Sequence, residues 1–272
     1  MIKKNFSITL TCLSLFCLAS ATGAALSKEQ TYSLFNQANQ FFRQANSIVN
    51  DPDRVRRLYE KAILNYERII RDGQIRNPKL YYNLGNAHFL NGDIGNAILD
   101  YRRAEKLDKT DTNVQKNLAF ARSRRIDKVA VKTEERVLQT LFFWHYDCSV
   151  KTKFVITCIS FAFVCISLTV MTWYGKTAPW VVTGVVCGVL TACLLASVVL
   201  ETRTRGSRVC GVITTEKAFA HQGDGRNYPE SFKDPLHAGT EFDLLERRSG
   251  WLHIRLSDKS DGWIPDNSAD LI

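Results

Sequence analysis

The sequence predicts a multidomain membrane protein that combines an all-α helical-repeat solenoid, a two-helix transmembrane hairpin and a small all-β barrel. Over residues 28–137, apolar residues recur at helical spacing with few helix breakers. Residues 154–174 and 180–200 are charge-free apolar runs, each long enough to cross a hydrocarbon core at about 1.5 Å per residue. Residues 207–272 carry short alternating runs separated by Gly, Asp, Asn and Pro, which is typical of strands and turns.

The net charge and its placement bear on the class of partner. The 272-residue chain has a formal charge of +9. Lys and Arg are scattered through the helical segments or stand beside the apolar runs, without a nucleic-acid-binding signature. We therefore expect the positive charge to flank a lipid bilayer, and we expect no nucleic-acid partner.

The cysteines do not indicate a metal centre. Six of the eight lie within apolar runs, where Cys acts as a small apolar residue. Cys148 and Cys210 lie outside these runs and near the membrane, either as free thiols or as a disulfide formed in an oxidising compartment. Because no CxxC or Cys/His spacing is present, we expect no metal site and no cofactor.

Residues 1–25 have the pattern of a secretory signal peptide. Lys3-Lys4 precedes an apolar stretch, and Ala19-Ser20-Ala21 fits the small-x-small cleavage rule. The alternative is an uncleaved anchor over residues 6–26, which is nearly long enough to span a bilayer. Either segment sends the residues that follow it across the membrane.

The stretch from Pro78 to Lys109 places large and small residues on two consecutive helices. Small residues at three positions let the antiparallel helices approach closely, and two tyrosines fill the space between them. The residues that define the pattern are Tyr81, Leu84, Gly85, Ala97, Tyr101 and Ala104. The stretch closely resembles a tetratricopeptide repeat, with His88 where an aromatic residue is usual and Lys109 where the repeat often ends in Pro.

Flanking residues predict further helices in the same stack. Upstream, an imperfect helix pair is separated by Asp51-Pro52-Asp53, with a longer gap than the repeat allows. Downstream, Val114, Leu118 and Ala121 mark one more helix of the first type, and its polar end is expected to cap the solenoid. About three repeats' worth of helices suffices to bury a core.

Three asparagines are the candidate partner-binding residues. Such repeats bind extended peptides or partner helices in a groove lined by their first helices, and peptide-clamping relatives often carry Asn at the position held here by Asn83. Asn117 falls at the same place in the next helix, and Asn86 lies one turn beyond Asn83. The resemblance implies a polar ladder for a peptide backbone. The alternative is that Asn is simply tolerated on an exposed helix face.

A juxtamembrane linker, residues 138–153, leads to the two predicted transmembrane helices. Only five residues join these helices, so they must form an antiparallel hairpin. Gly184 and Gly188 form a GxxxG pair that either seats the second helix against the first, which we favour, or drives association between subunits. No Asp, Glu, Lys, Arg or His lies within either span, so a proton or ion pathway has no obvious carrier.

Two signals disagree about orientation. The signal segment places the repeats outside the cytoplasm, which leaves the hairpin loop inside. That loop carries only Lys176, whereas five Lys and Arg residues flank the outer ends of the spans, and the positive-inside rule points the other way. We give precedence to the first segment of the chain because it usually dominates.

The C-terminal residues resemble a bacterial SH3-like domain. Gly239 ends a Leu-x-x-Gly sequence ahead of one strand, Gly250-Trp251 opens a second strand, and Gly262-Trp263 opens a third. Residues 219–232 form a longer polar loop than relatives often carry. We interpret Trp251 and Trp263 as fillers of a small barrel core, because so small a barrel needs large apolar residues.

The order of signal peptide, tetratricopeptide repeats, membrane hairpin and SH3-like domain resembles that of the BatE proteins of the bacterial aerotolerance operon. The resemblance covers nearly the whole chain and rests mainly on this order. It implies a protein–protein interaction role in the envelope beside von Willebrand-type membrane proteins and a MoxR-type ATPase, with a part in oxidative-stress resistance.

These features favour a non-enzymatic scaffold in the bacterial inner membrane, with both soluble domains on the periplasmic or extracytoplasmic side. One alternative is a membrane-anchored module whose barrel binds peptidoglycan. Another is a channel formed by a ring of subunits. The five His residues are dispersed and no Cys-His or Ser-His-Asp arrangement is assignable, so the sequence does not favour an enzyme.

Overall fold

The computed structural model describes residues 26–127, 150–175, 177–205 and 209–272. The predicted signal peptide, residues 1–25, lies outside the described residues, as do Cys148 and most of the linker 138–153. The chain divides into two compact units, residues 1–77 and 78–272.

The described residues of the first unit form a pair of helices, α1 (Lys28–Ser47) and α2 (Pro52–Gly73). Ser27 and Gln30 cap α1 reciprocally, each side chain accepting a hydrogen bond from the other residue's backbone N–H. Asp51 caps α2 and Pro52 takes the first helical position, where a missing N–H costs nothing. The predicted interruption at Asp51-Pro52-Asp53 therefore marks the start of α2, directly after the turn between the helices.

Two tyrosine–asparagine hydrogen bonds join α1 to α2 one heptad apart. The Tyr66 hydroxyl donates to Asn39 Oδ1 at 2.6 Å, and the Tyr59 hydroxyl donates to Asn46 Oδ1 at 2.5 Å. The sequence Phe-x-Gln-Ala-Asn occurs twice in α1, seven residues apart, and supplies both acceptors. Both helices of this pair are thus longer than those of the predicted repeat, which explains the wide spacing between its two halves.

The second unit begins with α3 (Pro78–Leu90), α4 (Ile94–Leu107) and α5 (Thr112–Ser123). All six residues that define the predicted repeat are buried. A Cβ added at Gly85 would lie 2.8 Å from two ring carbons of Tyr101, so the close approach of α3 and α4 requires Gly there. Asp93 and Asp111 cap α4 and α5.

The departure at His88 places a polar side chain in the repeat core. His88 Nδ1 lies 3.3 Å from Asp93 Oδ2, and His88 Nε2 lies 3.7 Å from Asp100 Oδ2. Burial opposes ionisation of Asp93, but hydrogen bonds from His88 and Asn96 outweigh it and lower the pKa of Asp93. Polar contacts with two carboxylates thus replace the usual aromatic packing at this position.

Two long apolar helices follow, α6 (Val150–Tyr174) and α7 (Ala178–Arg205). By length and composition, Thr152–Tyr174 and Ala178–Val199 could cross a membrane. The Ser160 hydroxyl donates to the carbonyl of Cys187 at 2.9 Å, and Ser167 lies against Gly184 at the other end, so the helices are antiparallel. Small polar residues at such contacts let helices associate where no hydrophobic drive exists.

The two glycines of the GxxxG pair differ in surroundings. A Cβ added at Gly184 would contact the Ser167 Cβ at 3.4 Å, whereas one added at Gly188 would have no described atom within 4 Å. Gly184 therefore packs against the first helix of the hairpin, and Gly188 does not.

Residues 209–272, which we call the sheet domain, contain seven strands. These are β1 (Val209–Ile213), β2 (Lys217–Ala218), β3 (Leu236–His237), β4 (Glu241–Arg248), β5 (Trp251–Arg255), β6 (Asp261–Pro265) and β7 (Ala269–Leu271). Five form an antiparallel sheet in the order β6-β5-β4-β1-β7, and β2 pairs with β3. Ten buried residues, including Phe242, Ile254 and Ile264, form its core.

The predicted barrel is not closed. Its two edge strands, β6 and β7, do not pair with each other. Instead, His221 from the long 219–232 loop exchanges two backbone hydrogen bonds with Trp263 of β6, at 2.8 and 2.7 Å. The loop thus occupies the edge that closure would need. The thiol of Cys210 is free and donates to Asp243 Oδ1 at 3.3 Å.

The sheet domain packs on α4 and α5, which precede it by more than 80 residues. Val212 of β1 is fully buried in one cluster with Ile98, Tyr101 and Leu118, and Ile272 packs against the same cluster. A Cβ added at Gly95 of α4 would lie 2.9 Å from the carbonyl oxygen of Ile213, so only Gly permits this approach. The repeat helices and the sheet domain therefore share a core.

Candidate partner-binding face on α3 and α5

The asparagines predicted to bind a partner lie on a surface shared by α3 and α5, which we call the groove face. It is defined by the residues Tyr82, Asn83, Asn86, Phe89, Asn117 and Phe120. Contacts across the two helices fix the arrangement, because Asn117 reaches both Tyr82 and Asn86, and the rings of Phe89 and Phe120 lie 5.4 Å apart. The face thus combines amides with aromatic rings.

Asn86 and Asn117 are held in a hydrogen-bond network. Asn117 Nδ2 donates to Asn86 Oδ1 at 2.8 Å and to the Tyr82 hydroxyl at 3.2 Å. Asn86 Oδ1 also accepts from the Tyr101 hydroxyl at 2.7 Å. Burial raises the pKa of Tyr101, so this hydroxyl stays a donor at all ordinary pH values. The network sets the orientation of both amides.

The other half of each amide has no hydrogen bond within the described part of the chain. These groups are Asn86 Nδ2, a donor, and Asn117 Oδ1, an acceptor. Neither atom is among the buried polar atoms that lack a hydrogen-bond partner. Both atoms are therefore accessible to solvent. An oriented donor beside an oriented acceptor matches the C=O and N–H of an extended backbone. Asn83 is half-buried on the same face.

An exposed aromatic ring lies at one end of the groove face. The Phe120 side chain is 50% exposed although its ring contacts Phe89. The Arg124 guanidinium lies 5.1 Å from the centroid of the Phe120 ring, within range of a cation–π interaction. The ring and the cation together can contact an apolar or an acidic side chain.

A second constellation, which the sequence did not reveal, joins the sheet domain to the helices. Glu241 accepts from Arg122 Nε and Nη2 at 2.7 Å each, from Arg125 at 3.2 Å and lies 3.1 Å from Arg102 Nε. Burial opposes ionisation of Glu241, but the hydrogen bonds and charge of Arg122 lead the interactions that lower its pKa. These arginines are engaged internally, so the groove face does not depend on them.

Asp127 makes the second polar contact between the helices and the sheet domain. Its carboxylate accepts from the backbone N–H of His237 at 2.7 Å and from the Thr240 hydroxyl at 2.7 Å, and lies 2.8 Å from His237 Nδ1. Burial opposes ionisation, but these bonds outweigh it and lower the pKa of Asp127. The chain is therefore fixed to the sheet domain just after α5.

The predicted residues of the sheet domain contact other residues of that domain or, at Gly239, Ile98 of α4 and Arg125. Trp263 is 7% exposed and stacks on His253 at 4.7 Å between ring centroids. Trp251 is half-buried and contacts the His221 ring edge-on at 5.7 Å. Gly239 adopts φ +90 in the turn before β4, and Gly262 lies buried in β6. Trp263 thus packs within the domain.

A separate cleft of about 380 Å³ lies in the sheet domain. Its lining includes Lys217, Phe219, Arg226 and Glu230. Phe219 is 48% exposed, and two cations accompany it. The cleft thus presents an apolar ring, two cations and the carboxylate of Glu230.

Residues 78–111 match the family model of the tetratricopeptide repeat, which confirms the repeat predicted from residue spacing. The match applies to that segment, and repeats of this family are protein–protein interaction modules. No curated protein matches the chain.

Proposed function

We propose that the protein is a membrane-anchored interaction scaffold that binds an extended segment of a partner on its groove face. The observation that carries the proposal is the network of Asn86 and Asn117, which presents an oriented donor and acceptor to solvent. Preorganised groups lower the entropic cost of ordering a bound segment. The scaffold acts through binding and not through catalysis.

The remainder of the chain supplies location. The hairpin of α6 and α7 is the proposed anchor, and the signal-like start supports an extracytoplasmic location of the soluble parts at a bacterial inner membrane. The sheet domain is an SH3-like domain with an open edge. The resemblance to BatE proteins supports a role in an aerotolerance complex with von Willebrand-type membrane proteins and a MoxR-type ATPase system as partners.

Site-specific photo-crosslinking in the native membrane tests this function. Benzoylphenylalanine replaces Phe120 on the groove face, and as a control it replaces Leu245, which is 38% exposed on β4. We expect discrete adducts from position 120 that map to one partner segment and disappear when Asn117→Ala is added. Equal adducts from both positions, or adducts that ignore Asn117→Ala, would reject the groove face as the binding site.

A second candidate function is peptidoglycan binding through the cleft of the sheet domain. The exposed Phe219 ring beside Lys217 and Arg226 favours it, because wall peptides carry carboxylates. The full chain in detergent should sediment with purified sacculi, and Arg226→Glu should abolish sedimentation. Retention that is unchanged by Arg226→Glu contradicts this function.

A further inference from the structure

We propose that the segment bound on the groove face is acidic and carries its recognition residues at alternating positions, in the order acidic–x–apolar–x–acidic. The inference rests on the proposed function and names the chemistry of its partner. Three observations on α3 and α5 lead to it.

The first observation is the charge of the helices that form the groove face. Neither α3 nor α5 contains an Asp or a Glu. Four nearby carboxylates cap helices or pair with cations. They are Asp93, Asp100, Glu105 and Asp111. The charged residues of α3 and α5 are therefore all basic, which favours a negatively charged partner.

The second observation is a stripe along α5. Lys116, Phe120 and Arg124 are spaced four residues apart, so they lie on one side of the helix. All three side chains are exposed, and Arg124 lies over the Phe120 ring. The stripe therefore presents a cation, an aromatic ring and a second cation in that order along α5.

The third observation is that α5 and an extended chain repeat at nearly the same distance. Four residues of an α-helix rise about 6 Å. Two residues of an extended chain rise about 6.6 Å, and alternate side chains point to the same face. An extended segment parallel to α5 therefore places positions i, i+2 and i+4 opposite Lys116, Phe120 and Arg124. Asn86 Nδ2 and Asn117 Oδ1 can then form hydrogen bonds with the backbone of the segment.

Three peptides of the same length test the spacing with the full chain in nonionic detergent. The first is Ser-Glu-Ser-Leu-Ser-Glu-Ser, the second replaces both Glu by Gln, and the third has the same composition with the order Ser-Ser-Glu-Leu-Glu-Ser-Ser. We expect fluorescence anisotropy to show the first peptide binding about five- to tenfold more tightly than either of the others.

Lys116→Glu and Arg124→Glu are the matched variants, and Lys233→Glu, at an exposed position in the sheet domain, is the control. We expect each groove variant to weaken the first peptide about five- to tenfold, and Lys233→Glu to leave it unchanged. Circular dichroism of each variant checks the fold.

Four results would overturn the inference. If Lys233→Glu weakens binding of the first peptide as much as the groove variants do, the peptide binds through general charge attraction to the protein. Equal affinity for the two Glu-containing peptides would contradict the proposed spacing of the acidic residues. No binding at about 1 mM peptide would contradict the proposal that the groove face binds an acidic segment. If the Gln peptide binds as tightly as the first and Asn117→Ala abolishes both, the charge requirement fails while the groove face stands as a binding site.

Discussion

Arg122 and Glu241 form a bidentate ion pair, with two N–H···O hydrogen bonds of 2.7 Å, although 119 positions separate them in sequence. The pair joins the end of α5 to the start of β4. Parallel hydrogen bonds of this kind are among the stronger polar contacts in proteins. The pair therefore fixes the sheet domain in one orientation on the helices.

Replacing the Glu241 carboxylate should loosen this interface. Glu241→Gln leaves three arginines without their shared acceptor charge, and we expect the interface to lose about 2–4 kcal/mol of stability. Hydrogen exchange of α4 and β1 measures this loss. Glu246→Gln on the same strand is the control, because its side chain is 48% exposed and its removal should cost less than about 0.5 kcal/mol. Equal effects of the two changes would contradict a special role for Glu241.

The interface should weaken in acid. Glu241 and Asp127 both have folded-state pKa values lowered from the ordinary values of 4.5 and 3.8. A lowered folded-state pKa means that the stabilisation is fully present above the ordinary value and is lost as pH falls through the folded-state pKa. Protection of β1 amides should therefore decline below about pH 4.5, and less so in Glu241→Gln. A profile that the substitution leaves unchanged would assign the acid sensitivity to other groups.

The two glycines of α7 should respond differently to a large side chain. Gly184→Leu must displace Ser167, so we expect a loss of about 1–3 kcal/mol in hairpin stability, measured by thermal unfolding in detergent. Gly188→Leu should be tolerated. If Gly188→Leu instead reduces the mass of the detergent-solubilised protein by a subunit, then this glycine packs between chains.

The tyrosine–asparagine contacts of the first unit should each add to its stability. Burial raises the pKa of Tyr66 to about 12, so its hydroxyl donates to Asn39 throughout the ordinary pH range. Tyr66→Phe removes that donor and should destabilise the α1–α2 pair by about 1 kcal/mol, measured by hydrogen exchange in α1. Tyr32→Phe is the control, because Tyr32 is 69% exposed. A loss of the same size at Tyr32 would mean that the hydrogen bond is not the cause.

The repeat was predictable because sterics determine its pattern. Gly85 must be small where Tyr101 is large, and that complementarity appears directly in the spacing of the residues. The apolar helices and most strands follow in the same way from local periodicity. The doubled Phe-x-Gln-Ala-Asn of α1 was also legible in the sequence, and it would have revealed the lengthened first pair.

The contact between the sheet domain and the helices was not predictable from spacing. Glu241 and Arg122 look like ordinary surface charges, and only the folded chain makes them partners. The open edge of the sheet depends on His221 pairing with Trp263, a contact between a loop and a strand that has no periodic signal. The spacing of the sequence predicts Asn86 and Asn117 as candidate partner-binding residues, but the orientation of their amides depends on Tyr101 and Tyr82 across two helices.

The shared core of α4, α5 and β1 also determines when this unit can fold during synthesis. The 81 residues between Asp127 and Val209, hairpin included, are an insertion within one folded unit. At roughly 5–20 residues per second the ribosome needs on the order of 4–16 seconds to make them. During that interval the helices expose the apolar surface that Val212 will cover. A chaperone that reaches nascent chains therefore has a defined window in which to hold this surface, and both ends of the insertion must emerge on the same side of any membrane that it crosses.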